Sequence, residues 1–224
     1  MYLQGTSRPD IAMAVHQCAR FSIDPRISHE KAVKRIDRYL LATKGRGIKF
    51  APKLDKGLEC DVDADFAGNW AKADADNPDN VLSRTRFVIF HAGCPIIWAS
   101  RMQTEISLST AEAKYIAGST AMRDVLSILQ LMEEINKIFP VKNIKPKLHC
   151  TVYEDNESCI AMAKNRRFSP RTKHIAIKYH YFRKHVNKTI MINSVDTREQ
   201  TADIFTKPLE VGLFEHLRKK VCGW

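Results

Sequence analysis

From residue 58 the chain alternates without a break: Leu58, Cys60, Val62 and Ala64 are apolar, and Glu59, Asp61, Asp63 and Asp65 between them are acidic. Period two is the side-chain period of an extended strand, so this run predicts a strand with one apolar face. Phe87 to Phe90 and Pro95 to Ala99 read as two further strands, with His91-Ala92-Gly93 as the turn between them. Ser109-Thr110-Ala111-Glu112 is a capping box, and it opens the longest predicted helix, over 110–138, which Pro140 closes. A fourth strand is expected over 148–153 and a short helix over 156–165. A helix over 177–188, a fifth strand over 189–195, a helix over 199–207 and a terminal helix over 209–221 complete the order. The polar stretch 69–84 reads as a loop. Three strands, a long helix, then strands alternating with helices describe an α/β protein, a mixed sheet of five strands flanked by helices.

Two helices are expected ahead of the sheet. Ser7-Arg8-Pro9-Asp10 is a helix start, and Ile11, Val15, Cys18 and Ala19 fall on one face of the helix it opens. A second helix starts near Ser28, with Ala32, Ile36, Tyr39 and Leu40 as its stripe, and Gly45 and Gly47 end it. Two helices bury little on their own, so this piece needs a partner surface. The expected division is a helical segment over 1–50, a linker over 51–57 holding Pro52 and Gly57, a main domain over 58–208 and a helical tail over 209–224.

The formal net charge is +11, and residues 141–190 hold 12 Lys and Arg against 3 Asp and Glu. A basic stripe this concentrated predicts contact with a polyanion such as nucleic acid; a solvated basic face is the alternative. The six cysteines, Cys18, Cys60, Cys94, Cys150, Cys159 and Cys222, contain no C-x-x-C pair. That argues against zinc and against a secreted disulfide framework, and predicts reduced thiols in an intracellular protein, cytoplasmic or nuclear. No apolar run approaches the roughly 20 residues that span a bilayer, so no membrane partner is expected.

Three aspartates stand where apolar elements give way to polar residues: Asp63 in the first strand, Asp155 after the fourth, Asp203 in a late helix. Taken singly they read as a turn residue, a helix cap and a solvated helix residue. The segments around them resemble one family in order. Val62-Asp63-Ala64-Asp65-Phe66-Ala67-Gly68 is similar to the S-D-A-D-W-A-G opening of the ribonuclease H domain in copia-type long-terminal-repeat retrotransposons. Ser107 to Ala117 resembles L-S-S-T-E-A-E-Y-I-A, and Tyr153-Glu154-Asp155-Asn156-Glu157-Ser158 resembles Y-C-D-N-Q-S. Arg171-Thr172-Lys173-His174-Ile175 and Ala202-Asp203-Ile204-Phe205-Thr206-Lys207-Pro208 resemble R-T-K-H-I and A-D-I-L-T-K-P-L. Upstream, Thr6 to Val15 and Lys34 to Leu40 resemble the end of that family's reverse transcriptase.

The resemblance implies a ribonuclease H-like fold preceded by a remnant of reverse transcriptase, with the rest of a Pol polyprotein and RNA/DNA hybrids as partners. It also implies two magnesium ions held by carboxylates, with Asp63, Asp155 and Asp203 in the three aspartate roles. Magnesium prefers oxygen ligands, and an ion pair roughly 4 Å apart can activate water and steady a leaving oxygen. No polymerase activity is expected of the chain alone.

The fourth ligand of the family is a glutamate on the long helix, and the matching residue here is Lys114. Position 114 shares a helix face with Gly118, Ala121, Val125 and Ile128, the face expected against the sheet. Glu112 lies about 200° around the helix from it, so it cannot stand in. A lysine there is expected to pair with Asp63 or Asp155, weaken magnesium binding and impair cleavage. Arg86, where the family has glycine, and Ala176, where it has aspartate, are further departures. Arg166, Arg167, Arg171 and Lys173 are the expected phosphate contacts. His174, His180 and His185 are expected to pack or hydrogen-bond rather than bind metal, because no zinc-like spacing surrounds them. The alternative reading is a noncatalytic nucleic-acid-binding module or a relic without function.

Overall fold

A computed structural model describes residues 1–68, 81–139, 148–165, 175 and 177–224. Arg166, Arg167, Arg171, Lys173, His174 and Ala176 lie outside the described residues, as does most of the expected loop over 69–84.

The strands are β1 (Leu58–Asp65), β2 (Arg84–His91), β3 (Cys94–Met102), β4 (Cys150–Glu154) and β5 (Ile190–Ser194). They form one sheet in the order β3-β2-β1-β4-β5, antiparallel across β3, β2 and β1, and parallel from β1 through β4 to β5. The helices are α1 (Tyr2–Thr6), α2 (Ala12–Ala19), α3 (Ile27–Ala42), α4 (Thr110–Ile138), α5 (Glu157–Lys164) and α6 (Val211–Cys222). This is a ribonuclease H-like α/β fold, a mixed five-stranded sheet flanked by helices and preceded by helices.

The apolar alternation of β1 is spent on one face. Leu58, Cys60, Val62 and Ala64 join Phe87 and Ile89 of β2 and Ala113, Ala117, Ala121 and Val125 of α4 in the larger core. α4 starts where the capping box places it: Ser109 Oγ accepts from the Glu112 amide (3.1 Å), and Glu112 Oε2 accepts from the Leu108 amide (2.8 Å). Burying so many small residues on one stripe lets this helix lie close to the strands.

The opposite face carries a smaller core of Ala12, Val88, Phe90, Ile204, Phe205, Leu217, Val221 and Cys222. The amino-terminal helices find their partner surface here, against α6. Arg8 pairs with Asp10 at 2.8 Å, the Tyr39 hydroxyl donates to Asp10 (2.7 Å), and Arg218 donates to the same hydroxyl (3.3 Å). The Trp98 indole donates to the Gln4 carbonyl at 2.6 Å and that of Trp224 to the Gly47 carbonyl at 2.7 Å.

Two expected helices take a tighter form. The stretch after 177 is two 3-10 turns, Ile177–Tyr179 and Tyr181–His185, and the helix around Asp203 is 3-10 over Thr201–Phe205. Both are short segments tied down by long-range contacts, the setting in which i→i+3 pairing replaces an α-helix. All six cysteines are free thiols, five of them buried. Among the described residues, no helix is long and apolar enough to cross a membrane.

Candidate active site

Parallel pairing between β1 and β4 ends at Asp61 opposite Tyr153. Beyond that point the strands part, and Asp63 and Asp155 lie on either side of the gap. The Gln200 side chain spans it, its amide donating to the Val62 carbonyl (3.1 Å) and the Tyr153 carbonyl (3.3 Å). That contact seats the Thr201–Phe205 turn under the strand ends and brings Asp203 to the same place. Thr201 strengthens the seat, donating to Asp61 Oδ2 through both its amide (3.2 Å) and its hydroxyl.

Lys114 reaches the gap from the other side. It lies in the first turns of α4, is 7 % exposed, and its ammonium donates to Asp63 Oδ1 and to Asp155 Oδ1. Glu154 Oε1 is 3.5 Å from the same nitrogen. Burial opposes the ammonium's charge, but Asp63, Glu154 and Asp155 outweigh it and hold Lys114 well above the usual lysine range. Asp155 is correspondingly held below the usual carboxylate range, since Lys114 overcomes the cost of burial. Asp203 is 2 % exposed and pairs with Lys207 at 2.8 Å. Burial pushes its carboxyl up to about 6, and the charges of Asp63 and Asp155 push the same way against Lys207. Lys114 therefore joins Asp63 and Asp155 directly, while Asp203 pairs with Lys207 and feels the other two aspartates only through their charge.

Two buried ionisable side chains complete the cluster. Glu154 is 2 % exposed; burial raises its carboxyl to about 8 despite Lys114, and Oε2 has no hydrogen-bond partner among the described residues. Arg86 stands opposite Asp63 in the β1–β2 register, with Nη2 3.7 Å from Asp65 Oδ2. Burial lowers its guanidinium to about 9, although Asp65, Asp63 and Asp203 all favour its charge, and Nε and Nη1 find no partner among the described residues.

Glu154 is absent from the site residues expected from sequence, but its signal was there. On β4 the buried positions are Cys150, Val152 and Glu154, so the period-two rule turns this acid inward. An inward acid must either keep its proton or find a cation, and Glu154 has Lys114 3.5 Å away while burial holds its proton on. Of the histidines, His180 Nδ1 meets the Tyr115 hydroxyl at 2.7 Å and His185 Nδ1 meets Thr189 Oγ1 at 3.4 Å. Among the described residues, no group of three or more His, Cys, Asp or Glu side chains is arranged to hold a metal ion.

The acidic cluster thus lies at the ends of β1 and β4, beside the first turns of α4. The chain is 34 % identical over its whole length to the retrovirus-related Pol polyprotein from transposon TNT 1-94 of Nicotiana tabacum, of which it covers 16 %. It is 31 % identical over 96 % of its length to the Pol polyprotein from transposon RE1 of Arabidopsis thaliana, and 29 % identical over the same share to that from transposon RE2. It covers 14 % of each of these two. No protein-family model matches the chain. Over nearly its whole length the chain is similar to copia-type retrovirus-related Pol polyproteins of transposons, and it spans between one-seventh and one-sixth of the length of these relatives.

Proposed function

We propose that this chain is the ribonuclease H-like region of a retrotransposon Pol polyprotein in which metal-dependent hydrolysis of RNA in RNA/DNA hybrids is lost or strongly reduced, while nucleic-acid binding is kept. The observation that carries the reading is the Lys114 ammonium bonded to both Asp63 and Asp155. A magnesium ion needs those carboxylate oxygens itself. To reach them it must expel a cation that two aspartates and Glu154 already stabilise, and Arg86 opposes a second positive charge from the β2 side. The residues present therefore do not fit a pair of divalent ions, and what they can do is neutralise one another.

The test is magnesium calorimetry together with cleavage of an RNA/DNA hybrid. The unaltered chain is expected to bind magnesium weakly and to cleave little or nothing. Lys114→Glu is expected to restore magnesium-dependent cleavage. The double variant Lys114→Glu/Glu154→Cys should restore more, because the new glutamate would otherwise face Glu154 across a buried space. Full-rate cleavage by the unaltered chain would overturn the proposal. Hybrid binding that depends on salt but not on magnesium supports the noncatalytic form of it.

A further inference from the structure

On the sheet face opposite α4 a groove of about 680 Å³ crosses beneath Phe90 of β2, Asp61 of β1 and Tyr153 of β4, reaching Val195 beyond β5. Strands lie about 4.8 Å apart, so the path from β2 to β5 is roughly 14 Å long. One wall is the segment before β1, with Lys49, Lys53 and Lys56; the other is α6, with His216, Lys219 and Lys220. All five lysines are exposed.

The acids in the groove are already engaged. Glu59 pairs with Lys56 at 3.1 Å, Glu199 with Lys220 at 2.6 Å and with His216 at 3.0 Å, and Asp61 accepts from Thr201. Lys49, Lys53 and Lys219 have no ion pair among the described residues, and they face the groove from both sides. Surplus cations on two walls above a floor with the half-buried Tyr153 ring suit a chain that has phosphates along its edges and flat apolar faces between them. A duplex keeps its base faces stacked away from such a floor, whereas a single strand can present them.

We propose that this groove binds the backbone of single-stranded nucleic acid, at a site separate from the Asp63–Lys114–Asp155 cluster. The site needs no metal and no cleavage, so it stands or falls independently of the reading of Lys114.

The test is fluorescence anisotropy of an unstructured, labelled single-stranded RNA on the full chain. Lys49→Gln/Lys53→Gln/Lys219→Gln is compared with an equally charged control, Lys31→Gln/Lys44→Gln/Lys188→Gln. The groove variant should bind at least about tenfold more weakly at moderate salt. Its log Kd against log salt slope should fall by about 2, since each phosphate contact on a single strand contributes about 0.7. The control should change little. In the unaltered chain the RNA should also protect Lys49, Lys53 and Lys219 from acetylation, a readout that needs no variant to fold. Equal weakening in both variants, or lysines that stay reactive with RNA bound, would overturn the proposal. So would protection seen only with a longer Pol polypeptide, which would make the groove a protein interface.

Discussion

The cluster around Lys114 and the groove beneath the sheet are both concentrations of charge, and water separates their behaviour. In the cluster, the Lys114, Asp63 and Asp155 side chains are 9 %, 7 % and 13 % exposed, so each ion depends on its neighbours for the solvation it has lost. In the groove, the Lys56 and Glu59 side chains are 42 % and 18 % exposed, and solvent screens what they do to each other. The same residue types thus make a structural keystone in one place and an adjustable surface in the other.

The comparison breaks most visibly at Lys114. Lys114→Ala leaves Asp63, Asp155 and Glu154 facing one another without a cation, and losing one partner of a buried ion pair costs about 3–5 kcal/mol. Urea unfolding without divalent ions should show a loss of this size; a loss under about 1 kcal/mol would mean that water already solvates the cluster.

The next largest effect depends on pH. Burial raises the Asp61 carboxyl to about 6 against the hydrogen bonds from Thr201. The folded chain then holds this proton at pH values where the unfolded chain has released it, so stability contributed by Asp61 falls as pH rises from about 4 to 6 and is level above. The span is roughly 2–3 kcal/mol. Asp61→Asn should make the decline of unfolding free energy across that window shallower, leaving a remainder from Asp203, whose carboxyl is also raised to about 6, and from Glu154, raised to about 8. An unchanged slope would show that Asp61 is ionised throughout.

A smaller effect, of opposite sign, belongs to Arg86. Its Nε and Nη1 are buried without partners among the described residues, and replacing such a cation by an apolar side chain of similar reach often stabilises. Arg86→Met is expected to gain about 1–2 kcal/mol; a loss would show that its attraction to Asp65 and Asp63 outweighs its burial. The smallest effect lies in the groove. A double-mutant cycle on Lys56 and Glu59 should return no more than about 1 kcal/mol, and less in high salt.

Periodicity made part of this fold legible in the sequence. The alternation of 58–65 set β1 and its inward face, and the Ser109 to Glu112 box set the start of α4, because both are local rules between neighbours. Lys114 could be aimed at the sheet from helix spacing alone. The helix expected around Asp203 became a 3-10 turn because Gln200 and Thr201 are held by β1 and β4, contacts more than 45 residues away in sequence. The burial of Arg86 was equally hidden: its strand position was legible, but that Nε and Nη1 lack partners among the described residues depends on the tertiary packing around them.

Gln200 also sets a dimension. It holds the diverging ends of β1 and β4 through two main-chain carbonyls with an uncharged amide. The aperture between Asp63 and Asp155 is therefore gauged by polypeptide geometry, independent of whichever positive species lies in it. A substitution at position 114 would therefore change the charge in the aperture without rebuilding the frame around it.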